Sequence, residues 1–169
     1  DDARALSASA LGFVERSIAE LFSAAGERSR AEEALARATE IYRMAEDDAG
    51  VASCLALRSE WWVAPASSAL VRNLVIADAA FPSSELTWNI EAVEGGAEDV
   101  DLPQGRAALE EALRLYERAG RFRGAASVLL RLAHVARLEG QLDRQLALAK
   151  EAQGRFTDAG DPLHAHLAV

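Results

Sequence analysis

A chain of 169 residues and 18.1 kDa has room for one domain with a real core or for a short array of repeats, and is too short for two ordinary domains with a linker. Half of it is hydrophobic, only 6% is aromatic and there are four prolines, while alanine is abundant, which favours helices packed through small side chains over a sandwich or barrel. A net charge of −9 argues against duplex nucleic acid as a partner, because that affinity comes mostly from neutralised phosphates.

Taken in chain order, the apolar periodicity predicts helices over residues 5–25, 29–46, 49–64, 67–81, 84–94, 104–119, 122–138 and 141–158, with a further one opening near 161. The second shows the pattern well. Ala31, Ala34, Leu35, Ala38, Ile41, Tyr42 and Ala45 recur at three and four residues, and Glu32, Glu33, Arg37, Glu40 and Arg43 fill the opposite face. Gly26 and Gly140 stand where a helix must end, since glycine takes the left-handed C-cap conformation without a Cβ clash. Pro82 followed by two serines stops one helix and caps the next. Residues 94–101 form the longest expected loop, and Pro103 suits the first turn of the helix after it. Mostly short connections force neighbouring helices to lie antiparallel.

The pattern repeats. Ala34-Leu35, Ala38, Tyr42, Ala45, Gly50, Ala52-Ser53 and Leu55 match Ala108-Leu109, Ala112, Tyr116, Ala119, Gly124, Ala126-Ser127 and Leu129 at one offset of 74 residues. A third copy follows the second by 40, with Ala152, Phe156 and Ala159-Gly160 falling on Ala112, Tyr116 and Ala119-Gly120. The offset of 74 leaves room for a degenerate copy, at about 40 and then 34 residues, whose second helix would be 67–81.

These spacings resemble the tetratricopeptide repeat. Ile18-Ala19, Phe22, Gly26, Ala31, Leu35 and Ala38 carry the likeness in the first hairpin, and Leu129, Leu132-Ala133, Ala136, Gly140, Ala149 and Ala152 carry it in the last. The 40-residue variety is similar to repeats that accompany ATPase, protease-like or transcription modules in bacterial regulators. The resemblance implies an all-α, right-handed superhelical stack of about four antiparallel hairpins, near 5–46, 49–81, 84–119 and 122–158, with the start of a further helix at 161–169.

Catalytic signatures are missing from the sequence: there is no phosphate-loop glycine-lysine pair, no G-x-S-x-G, no C-x-x-C and no H-E-x-x-H. Neither enzymatic activity nor a metal or cofactor is expected. Cys54 is the only cysteine, so it can form no intrachain disulfide and is read as a small buried side chain. His164 and His166 point in different directions on a helix. Trp62 and Trp88 fall on core positions, and Trp61 is left between an edge cap and a partner contact. Arg114, Arg118, Arg121 and Arg123 alternate with Glu110, Glu111 and Glu117 as a solvated, salt-bridged face.

No run reaches the roughly 20 apolar residues of a membrane span, and Arg72, Asn73 and Asp78 interrupt the most apolar one. The opening residues are not those of a secretory signal, there is no initiator methionine, and the other end stops in what reads as a helix opening. A cytoplasmic segment of a longer protein is therefore expected.

For function, the resemblance implies a protein-interaction scaffold or regulatory module, binding a peptide, a protein or another domain of its own parent on the concave face. Carried over residue by residue, the inward positions are Phe13, Arg16 and Glu20, then Ala56, Glu60 and Val63, then Leu86, Ile90 and Val93, and finally Ser127, Leu130, His134 and Arg137. The alternatives are a small-molecule sensor with a pocket near Trp61, Trp88 and His134, or a regulatory segment of a multidomain signalling enzyme or transcription regulator.

Overall fold

The computed structural model describes residues 2–63, 101–161 and 164, with side chains from Ser7 onward. Among the described residues there are six α-helices and no strand: α1 Asp2–Ala24, α2 Arg28–Met44, α3 Asp48–Val63, α4 Leu102–Arg118, α5 Phe122–Leu138 and α6 Leu142–Asp158. The all-α expectation holds, and each described helix lies within a few residues of its predicted limits. The helices expected at 67–81 and 84–94, with Trp88, Leu86, Ile90 and Val93, lie outside the described residues.

Five turns have one design. Each has three residues, and the backbone N–H of the third donates to a carbonyl in the last turn of the preceding helix: Glu27 to Phe22, Asp47 to Tyr42, Arg121 to Tyr116, Gln141 to Ala136 and Asp161 to Phe156, at 2.8–2.9 Å. The middle residue has positive φ, at Gly26, Glu46, Gly120, Gly140 and Gly160. This is the Schellman closure, which satisfies orphan carbonyls at the cost of a left-handed residue. In α2, α4, α5 and α6 seventeen helical residues followed by three turn residues set a period of 20, and the acceptors Phe22 and Tyr42, and then Tyr116, Ala136 and Phe156, fall 20 apart.

Trp62 stands 20 residues after Tyr42, and its carbonyl accepts from Asp101 N–H at 3.1 Å. Asp101 thus takes the place of the third turn residue, 34 positions later than the period requires. Its side chain caps α4 by accepting from Gln104 N–H at 2.9 Å, with Pro103 in the first turn as expected. At the far end of the same pair, the Arg118 guanidinium holds both oxygens of Asp48. Helices α3 and α4 are therefore antiparallel neighbours joined at both ends, although residues 64–101 separate them in sequence. The sequence divided these two helices between the hairpins 49–81 and 84–119, each of which has its other arm outside the described residues.

Side-chain bonds between successive pairs tie like to like. Trp61 Nε1 on α3 donates to Ser23 Oγ on α1 at 2.9 Å, and Arg131 on α5 donates to the Ala56 carbonyl on α3 at 2.7 Å. On the other side, Arg144 and Arg155 of α6 pair with Glu110 and Glu117 of α4. Odd-numbered helices thus run side by side, with α4 and α6 alongside each other behind them. Small residues permit this spacing: Ala34, Ala38, Ala52, Ala112, Ala126 and Ala152 are fully buried. Tyr42 lies flat against Gly50, and Tyr116 against Gly124, so closely that a Cβ at either glycine would overlap the ring. Leu109, Leu129 and Phe156 fill the space between helices, each worth about 1.5–3 kcal/mol of apolar burial.

Candidate interaction groove

The three odd helices bring one face together around a cavity of about 230 Å³. Phe13 and Arg16 come from α1, Ser53 and Ala56 from α3, and Ser127 and Arg131 from α5. Phe13, Ser53 and Ser127 occupy equivalent places in the repeat, which is why they converge. Tyr42 and Tyr116, held by the glycines they pack on, close the back of the cavity. Burial pushes the Tyr42 phenol up to about 12, so it presents a neutral hydroxyl. A wider recess of about 710 Å³ shares Phe13, Tyr42, Tyr116 and Gly124 with this cavity and extends to Asp47, Arg121, Phe122 and Arg123. The two form one trough, with Phe13 (53% exposed), whose ring lies 5.7 Å beneath the Arg16 guanidinium, and Phe122 (60% exposed) along it.

Both arginines in the deep end are held from behind. Arg16 pairs with Glu20 at 3.0 Å, one helical turn on. Arg131, only 8% exposed, is fixed by the Ala56 carbonyl and by Glu60 at 2.8 Å. Removing either partner of this buried pair would leave a charge uncompensated, a loss of about 3–5 kcal/mol. At the outer end Arg123 reaches Asp161, while Arg121 makes no side-chain ion pair among the described residues. Asp47 is occupied on both oxygens, accepting from the Ser9 hydroxyl and from Gly50 N–H, each at 2.9 Å.

Of the residues read as inward-facing from the sequence, Phe13, Arg16, Ala56 and Ser127 line the cavity, and Glu20 and Glu60 brace its arginines. Val63 does not belong with them. It is buried against Gly105 of α4, where it serves the core of the α3/α4 pair. Leu130 is half-buried against the α5/α6 cluster of Leu129, Ala152 and Phe156. His134 and Arg137 contact each other, Nδ1 to guanidinium at 3.2 Å, away from the cavity lining.

Neither Trp61 nor His134 lines the trough; with Trp88, which lies outside the described residues, they mark the pocket of the alternative, small-molecule sensor reading. Trp61 is half-buried against the main core and tied to Ser23, and Trp62 is half-buried with Arg58 stacked 5.2 Å above its ring. Of the four arginines read as one salt-bridged face, Arg114 pairs with Glu111, but Arg118 reaches Asp48 of α3, Arg123 reaches Asp161 in the turn after α6, and Arg121 borders the trough.

Sequence reasoning missed Arg131, and the signal was available. At the offset of 74 Arg131 falls on Leu57, a buried core position, so a charge there marks a specialised environment. Comparison with family models, with curated proteins and with solved structures finds no match for this chain.

Proposed function

We propose that this chain is an interaction module, a right-handed superhelical stack of tetratricopeptide-like hairpins that holds a segment of another protein on the face of α1, α3 and α5. The observation behind this reading is the convergence of Phe13, Arg16, Ala56 and Ser127, from three helices, on one cavity that opens into a longer trough. The deep end, about 230 Å³, suits a single anchoring side chain, and the recess of about 710 Å³ beside it has room for the neighbouring residues of the segment. The exposed Phe13 and Phe122 then flank the segment on either side of its anchor.

Peptides selected from a random display library against the full chain, followed by amide chemical-shift mapping, test the reading. Shifts should gather at Phe13, Ser53, Ser127 and the α4–α5 turn. Shifts confined to the far sides of α2 and α6 would sink it.

A further inference from the structure

We infer that the partner segment is acidic, with one aromatic or aliphatic side chain as its anchor. This rests on the interaction-module reading and names the chemistry of its ligand. The charged side chains that line the trough are Arg16, Arg131, Arg121 and Arg123 against a single carboxylate, Asp47. Asp47 is held in place by the Ser9 hydroxyl and the Gly50 N–H, and it keeps its charge. Glu20, Glu60 and Asp161 neutralise three of the arginines without being lining residues themselves, so what faces the trough is guanidinium N–H. Each guanidinium carries five donors and these carboxylates engage only some of them, while the Tyr42 hydroxyl adds another donor. A donor-rich wall needs an acceptor-rich ligand, and carboxylates supply the strong, charge-assisted form of that bond.

The location sharpens the point. In a chain of net charge −9 an acidic segment meets long-range repulsion, so its hold must come from short-range bonds to the guanidinium donors of the trough and from the one arginine there whose charge is not already paired. Arg121 is the one lining arginine with no ion pair among the described residues, and it stands beside the exposed Phe122. An acidic residue flanking an apolar anchor meets both at once. Single-stranded nucleic acid also offers anions and stacking bases, but it carries a charge at every nucleotide against the repulsion of the whole chain, whereas a peptide can confine its carboxylates to the positions beside the arginines.

Fluorescence anisotropy on the full chain decides it, using about 12-residue labelled peptides with a central phenylalanine flanked by Asp and Glu, by Lys, or by Ser, together with a labelled oligothymidylate. The acidic peptide should bind at least about tenfold more tightly than the lysine peptide at low salt, and the gap should narrow as salt screens it. Arg121→Glu should reduce that preference by at least about threefold with helicity and melting temperature unchanged. Ser127→Trp, which fills the deep end, should abolish binding, and Phe13→Ser, at an exposed site, should weaken it independently of any misfolding of the first variant.

Equal affinity for the acidic and lysine peptides, preference for the oligonucleotide, or no binding of the acidic peptide at about 1 mM overturns the inference. If the serine or lysine peptide binds instead and Ser127→Trp blocks it, the inference fails while the interaction-module reading stands.

Discussion

Glu46 is the one residue that breaks the rule of the turns. The four other left-handed turn positions are glycine, yet Glu46 sits at φ 54° with its side chain exposed and no packing to compensate. A Cβ in that region costs about 1–2 kcal/mol, offset in part because glycine loosens the unfolded chain. Glu46→Gly should therefore raise stability by about 0.5–1 kcal/mol in urea unfolding, and a loss would show that Glu46 has a role its environment does not reveal.

Two helical glycines test the opposite balance. Alanine gains up to about 1 kcal/mol over glycine in a helix interior, and at Gly154 a Cβ would meet open space, so Gly154→Ala should stabilise. At Gly50 the same Cβ would overlap the buried Tyr42 ring, whose displacement costs about 1–3 kcal/mol, so Gly50→Ala should destabilise and disturb the wall of the trough.

At the scale of elements, the helix limits, the caps at Gly26 and Gly140 and the offsets of 74 and 40 were legible because they are local, carried by periodicity and turn chemistry. The partnership of α3 with α4 was not. Residues 67–81 carry an apolar face in Val71, Leu74, Val75 and Ala79, and nothing in a one-dimensional pattern separates a degenerate copy from residues set between two paired arms. The bond from Asp101 to Trp62 bears on the choice, since it reproduces the turn closure across a gap of residues 64–100. On that geometry, 74 is a 40-residue hairpin plus 34 residues.

Replacing residues 65–100 with Ala-Gly restores the regular count, placing Asp101 five residues after Trp62 and glycine at the left-handed position. The shortened chain should fold with the helicity of α1 to α6 intact and a cooperative melt, because the closure entropy falls as the connection shortens. Loss of cooperativity would show that residues 65–100 hold the α3/α4 pair together.

At the scale of the whole molecule, ionic contacts link helices in a protein of net charge −9, so its response to acid has opposing parts. His134 works against the fold as pH falls. Burial, aided by the adjacent Arg137, lowers it from 6.5 to about 4, and arginine can only donate, so Nδ1 is the acceptor and the ring is neutral. The unfolded chain binds this proton from about pH 6.5 downward and the folded chain does not until about pH 4. Stability associated with His134 is therefore complete above 6.5 and is lost as pH falls through that window.

Asp161 adds a second, lower window. Burial would raise its pKa, but the bonds from His164 and Arg123 outweigh this and hold it below 3.8, so its contribution persists at higher pH and disappears as pH falls further. Protonation of exposed carboxylates relieves self-repulsion and acts in the opposite sense. The difference between wild type and His134→Gln isolates the histidine, because glutamine has no charge to acquire and its amide oxygen can still accept from Arg137. Between pH 7.5 and 4.5 the wild type should lose on the order of 1–2 kcal/mol more than the variant, after a discount for solvent screening of a half-buried ring. Parallel stability profiles for the two proteins would mean that His134 is protonated in the folded state, with its Arg137 contact broken.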